Sequence, residues 1–247
     1  TYRGGDRDYA AELGEIVSYA GPIAGFLVES MLSCAGQVPL PQGYLADAFE
    51  HVRAAGGLCI ADEVQVGFGR VGTHMWAFEE HEVAPDIVVI GKPMGNGHPM
   101  AAVFTTPEIA SSFEEMEFFS TFGGNPVSCA IGMAVMDCIE QDGLMERAAE
   151  LGERFMTGLK ELQAKYDIIG DVRGRGLFLG FELVKDRETK EPAAEEAARI
   201  VDMMRDKGVL LSTDGPHGNV VKIKPPLVIN ESDIDSVLSL MDATLLL

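Results

Sequence analysis

Three ionisable residues stand at the ends of apolar runs: Glu29 after GFLV, Asp62 after LCIA and Lys92 after DIVVIG. Each is about 30 residues from the next, the length of one strand-helix-strand repeat. Lysine is costly to bury as a cation, so a single lysine closing an apolar strand is a candidate amine nucleophile. Taken alone, the stretch favours the plainer account, a strand-end lysine with its head in solvent. Lys92 also stands at the mouth of a loop rich in turn formers, with Pro93, Gly95, Gly97 and Pro99.

The elements that must position these residues follow from hydrophobic periodicity. A helix is expected over 9–20, then a strand in IAGFLVES, a helix in YLADAFEHVRAAG and a strand in GLCIADEV. The second helix carries Leu45, Ala48, Phe49 and Val52 on one face and stops at Gly56 and Gly57. A short helix over 76–82, an apolar run over 86–90 and a fourth strand over 101–106 follow. Strands alternating with helices imply a mostly parallel sheet covered on both faces, with ligands bound beyond the carboxyl ends of its strands. Further helices are expected over 126–141 and 144–166, the latter with Leu144, Ala148, Leu151, Phe155, Leu159 and Leu162 on one face. The strands GLFLGFELV, VLLS and VVKIK, a helix from Ala193 and a closing helix capped by Asn230 or Ser232 point to a smaller α/β unit. The division is placed at 1–142, a partial large domain, and 143–247, a small C-terminal domain.

Composition narrows the function. With 247 residues, 47% of them hydrophobic, the chain can bury a core of one large or two smaller domains. A net charge of -20, from 19 basic and 39 acidic residues, argues against nucleic acid and anionic membranes as partners. No apolar run approaches the ~20 residues of a membrane span, and TYRGGDRDYA resembles no signal segment, so the expectation is a cytoplasmic protein. The four cysteines form no CxxC and read as reduced core residues. The five histidines form no HxH or HExxH pair, so no metal site is expected.

GFGRVG, residues 67–72, matches a dinucleotide fingerprint, but two acids precede it and no patterned helix opens at Gly72. A tight surface loop ordered around Arg70 is the simpler account. The pair Asp62 and Lys92 suits a pyridoxal phosphate enzyme, in which a lysine holds the cofactor aldehyde as a Schiff base and an acid keeps the ring nitrogen protonated. Spacing alone leaves an ordinary acid and a solvated lysine open.

The longer motifs decide. ADEVQVGFGRVG, VIGKPMGNGHP, STFGGNP, VRGRGLFLG and KIKPPLVI together resemble the class III (subgroup II) aminotransferases, of fold type I among pyridoxal phosphate enzymes. The match runs from about Gly25 to the C-terminus. VQVGFGRVG, GKPMGNGHP and STDGPHGNVVKIKPP are most similar to the alanine-glyoxylate aminotransferase 2-like branch, which includes the ethanolamine-phosphate and phosphohydroxylysine phospho-lyases. The resemblance implies that Lys92 forms the Schiff base and moves the substrate proton. It also implies that Asp62 pairs with the ring nitrogen, Gln65 bonds the ring 3-oxygen and Val64 packs on the ring. Thr121 would reach the cofactor phosphate across a homodimer interface, and Glu29 would lie near the substrate pocket, where family members often pair this acid with a gating arginine.

Two departures from the family stand out. Members that bind an α-carboxylate commonly carry an arginine just before the Pro-Pro pair, where this chain has Lys222. Lysine lacks the two-pronged fork that grips a carboxylate, which leaves a phosphate or a simple amine plausible as substrate; Lys222 and Lys224 could equally be strand residues with solvated heads. Nothing before Glu29 supplies the family's Gly/Ser/Thr phosphate turn or its ring-stacking aromatic, so the chain is expected to be a C-terminal portion of the architecture. The expected function is amino transfer from an amine or amino acid. Its alternatives are a phospho-lyase acting on a phosphorylated amine such as phosphoethanolamine, and an inactive fragment or dimerisation module.

Overall fold

The computed structural model describes residues 7–114 and 116–246. Its first sheet has the order β1-β4-β5-β6, built from β1 (Gly25–Glu29), β4 (Leu58–Asp62), β5 (Ile87–Ile90) and β6 (Ala102–Thr105). The first three strands are parallel, and β6 joins antiparallel at the edge. Before them lies α1 (Tyr9–Ala20), and between β1 and β4 come the hairpin β2 (Met31–Leu32) and β3 (Val38–Pro39) and then α2 (Tyr44–Ala54). The crossover helix α2 buries Leu45, Phe49 and Val52 against Val28 and Cys59, because its apolar residues recur at helical spacing.

The expected cover on both faces is only partly present. Leu27 of β1 is 60% exposed, and Val103 and Phe104 of β6 are also exposed. The cysteine expectation needs a similar correction: all four are free, but only Cys59 is buried. Cys129 and Cys138 lie on α4 (Pro126–Gln141), which buries little beyond Gly132 and Ile139. Besides the β2–β3 hairpin, α3 (Pro107–Glu114), which has no buried residue, and the strands β7 and β9 described below were not anticipated from the sequence.

The second sheet is antiparallel, in the order β10-β11-β8-β7, with β9 pairing on β8. Its strands are β7 (Ile169–Arg175), β8 (Phe178–Asp186), β9 (Glu191–Pro192), β10 (Ser212–Asp214) and β11 (Val220–Ile223). The expected strand VLLS forms only from Ser212. The helices α5 (Leu144–Lys165) and α6 (Ala194–Asp206) pack on this sheet and α7 (Glu231–Leu245) packs on those two helices. Of the apolar stripe anticipated for α5, Ala148, Leu151, Phe155, Leu159 and Leu162 are buried in the largest core cluster, and Leu144 is buried in the one around Phe68 and Ile90. Asn230 caps α7, accepting the Asp233 amide at 2.9 Å.

The 67–72 segment joins the two sheets. Arg70 donates to the carbonyls of Leu177 and Pro225, while the Leu177 amide donates to the Arg70 carbonyl at 3.1 Å. No helix opens at Gly72, so the motif is a buried clamp rather than a phosphate loop. Among the described residues no helix is long and apolar enough to cross a membrane, and no cluster of His, Cys, Asp and Glu could hold a metal.

Candidate active site

Parallel register brings the three strand-end residues to one rim. Glu29 is directly opposite Asp62, and Asp62 is opposite Val89, three residues before Lys92. The β5 strand ends at Ile90, and a single 3-10 turn, Lys92–Gly95, begins at once. Lys92 has φ +23, a backbone conformation few non-glycine residues adopt and one that recurs where a side chain is aimed for function. Its side chain is exposed. The loop behind it is fixed by His98, whose Nε2 meets Ser128 Oγ at 2.7 Å, and by Met100, which packs on Gly132 of α4.

Asp62 is partly buried, and its Oδ1 accepts the Val64 amide at 2.9 Å. That bond orients the carboxylate and carries the chain into the segment holding Val64 and Gln65. Val64 packs near Gly91, its Cγ1 lying 3.6 Å from where a Gly91 Cβ would be. Gln65 receives a hydrogen bond on Oε1 from Lys224 Nζ at 2.6 Å and donates from Nε2 to Ser33 Oγ at 2.6 Å. Ser33 Oγ donates in turn to Glu29, whose other oxygen accepts the Ser33 amide at 2.8 Å. Glu29, Asp62, Val64, Gln65 and Lys92 therefore belong to one cluster.

The other expected residues are placed differently. Lys222 is partly buried on β11 and paired with Asp214 at 3.1 Å, so its charge is already met within the β10–β11 hairpin. Thr121 lies in the exposed loop ahead of α4. Lys224 is the nearer cation: burial pushes its ammonium down to about 8, with repulsion from Lys222 and Lys92 assisting and attraction to Asp214 and Cys34 opposing. It also sits 4.5 Å over the ring of Phe178.

Sequence reasoning missed two contributors. Ser33 follows Glu29 by four residues, a local signal that could have been read. Glu63 is fully buried and accepts the amides of Ala77 and Phe78 at 2.8 and 3.0 Å. This anchors the 3-10 turn Ala77–His81 to the strand end that carries Asp62. Burial raises the Glu63 carboxyl to about 7, Asp62 adding to the rise while the two amides oppose it. A cavity of about 690 Å³, lined by Tyr9, Tyr44 and Arg173 among others, holds none of the rim residues. Chemistry rather than enclosure marks the site.

Residues 9–245 match the family described as aminotransferase class-III. An alanine-glyoxylate aminotransferase 2-like protein of Drosophila melanogaster is 52% identical over 219 residues, 87% of this chain and 44% of that protein. An ethanolamine-phosphate phospho-lyase homolog of Caenorhabditis elegans is 45% identical, over 97% of this chain and 52% of its own length. Among solved structures, a phospholyase from Arthrobacter in complex with phosphoethanolamine superposes with a TM-score of 0.92 at 40% identity, covering 96% of this chain and 57% of that one. An aminotransferase of Bacillus anthracis gives 0.91 at 33%, covering 99% and 58%. The chain thus spans about half the length of the curated relatives it matches. On its sequence, its fold and the residues gathered at its strand ends, the chain belongs to the class III aminotransferases, a pyridoxal phosphate-dependent family.

Proposed function

We propose that the protein is a pyridoxal phosphate-dependent aminotransferase acting on a primary amine or amino acid. The observation that carries this reading is the convergence of Asp62, Gln65 and Lys92 on one rim of a parallel sheet. The donor set fits the cofactor: an oriented carboxylate, an apolar face from Val64 beside Gly91, an amide and one exposed amine. When bound, pyridoxal phosphate supplies an aldehyde that takes up amines and a ring that withdraws electrons from the attached carbon. Lys92 would hold that aldehyde until substrate arrives and then, as a free amine, carry the proton from the substrate Cα to the carbon that had been the aldehyde. Asp62 would keep a proton on the ring nitrogen, Gln65 would bond the ring 3-oxygen and Val64 would cover the ring. Glu29 and Lys222 would lie toward the substrate.

Thr121 would contribute to the cofactor phosphate from a second copy in a homodimer. Supporting this, the loop around Thr121 exposes Phe118, Phe119 and Phe122, and the neighbouring α4 exposes Val127, Met133 and Met136, a grouping of apolar side chains of the kind that marks an interface. The proposed division is a partial large domain over 1–142 and a small domain over 143–247, supported by the two separate sheets. A cytoplasmic location is part of the proposal, although two relatives are named as mitochondrial.

One observation favours a second reading, the phospho-lyase. Lys224 is a half-buried cation whose hydrogen-bond partner is the neutral Gln65, and it stands two residues from Lys222. An ammonium, which lacks the two-pronged fork of a guanidinium, suits a phosphate better than a carboxylate. Product analysis on the full-length protein separates the two. Transamination requires a keto-acid acceptor and yields its amino acid. Release of phosphate and an aldehyde from phosphoethanolamine without any acceptor would sink that reading in favour of the lyase.

A further inference from the structure

Glu29, Ser33, Gln65 and Lys224 come from β1, the turn after β2, the loop after β4 and the end of β11. They form an unbroken chain: Lys224 Nζ to Gln65 Oε1 at 2.6 Å, Gln65 Nε2 to Ser33 Oγ at 2.6 Å, and Ser33 Oγ to Glu29. Both ends fix its direction. An ammonium has no acceptor and a carboxylate has no donor. Lys224 must therefore face the carbonyl oxygen of Gln65, the amide nitrogen must point away from it, and the serine hydroxyl must hand its proton to Glu29. We propose that Lys224 is a positioning residue for the site: through this one-way chain it sets which way the Gln65 amide presents its donors.

The consequence lies at Gln65. An amide in an open rim has two orientations of similar energy, and reversing it swaps donor for acceptor. With Lys224 charged, Gln65 offers N–H toward the interior of the cluster, the polarity needed to bond an oxygen there. The extension to the ring oxygen of pyridoxal phosphate rests on the function proposed above. The charged and titratable groups facing Lys224 are Lys222, Asp214, Cys34 and Lys92, with the Phe178 ring beneath it. Once its proton is lost, the neutral amine can accept as well as donate, and the direction is imposed from the Glu29 end alone, without the charge that holds the Gln65 carbonyl.

The side-chain amides of the five glutamines, Gln37, Gln42, Gln65, Gln141 and Gln163, provide a readout that needs no cofactor. In the 247-residue chain labelled with 15N at glutamine, the Gln65 pair is identified by its loss in Gln65→Met. It is expected to shift with a midpoint near 8, the value at which Lys224 titrates. Lys224→Arg should hold the low-pH position throughout, and Lys224→Met should move the Gln65 pair at every pH while the other four pairs stay in place. Gln65 signals identical in wild type and Lys224→Met overturn the proposal. In the full-length protein, Lys224→Met should weaken pyridoxal phosphate binding about tenfold, the worth of one hydrogen bond, and Lys224→Arg should restore it. An unchanged Kd overturns the extension to the cofactor. A wild-type protein that takes up none strikes the functional reading instead and leaves the amide measurement to stand alone.

Discussion

Asp62 and Lys92 were legible because both close apolar strands about one βαβ unit apart, and parallel register turns that spacing into proximity. Lys224 was seen only as one of two strand lysines. Its tie to Gln65 spans 159 positions of chain, and no local pattern announces such a contact. Lys222 was read as the substrate cation, and the structure gives it a partner in Asp214. At this scale the account predicts that Asp62→Asn leaves the fold intact while lowering kcat by about two to three orders of magnitude, as loss of a preorganised charge does. Steady-state kinetics on the full-length variant, with circular dichroism as the control, measures this.

Among elements, helices were the most legible. The expected spans 9–20 and 126–141 coincide with α1 and α4, and 144–166 ends one residue beyond α5, because each carries a 3.6-residue pattern and a capping or stop signal. The short strands β2, β3 and β9, of two residues each, are too brief to show a period. The tight approach of α5 to the β7–β8 hairpin was hidden for another reason: it depends on glycines. A Cβ on Gly152 would lie 2.3 Å from the Gly176 carbonyl oxygen, whereas one on Gly158 would meet the side-chain end of Leu238. Backbone cannot give way as a side chain can, so Gly152→Ala should lower stability by about 1–3 kcal/mol and Gly158→Ala by less. Urea midpoints check the order, and equal losses would contradict it.

The clamp made by Glu63 belongs to the same scale and carries a pH signature. Its carboxyl is raised from 4.5 to about 7, so between those values the folded state holds a proton that the unfolded chain has released. This contribution to stability is complete below about 4.5 and is lost as pH rises through about 7. Glu63→Gln, which does not titrate, should therefore flatten the fall in Tm between about pH 5 and about pH 8 relative to wild type. An identical slope in the two proteins would show that Glu63 is not the group responsible.

For the whole molecule, the alternation of strands and helices revealed the parallel sheet, and the strands read after residue 143 belong to a second sheet. The exposed aromatic loop was not foreseen, since a sequence does not say which apolar residues lack a cover within the same chain. If that surface joins two copies, Phe119→Asp combined with Phe122→Asp should convert a dimer of the full-length protein to monomers in sedimentation analysis, the charges being costly to bury. A variant that remains dimeric would place the interface elsewhere.

The central claim is that Lys92 is the amine that holds the cofactor, and the fold supplies its own competitor. Lys224 lies close enough to repel Lys92, and its ammonium is already lowered to about 8. Borohydride reduction of the full-length protein in the presence of pyridoxal phosphate, followed by peptide mapping, distinguishes them. The account predicts a pyridoxyl group on Lys92 and its loss in Lys92→Ala. Label on Lys224, or a protein that remains colourless and unlabelled, would contradict it.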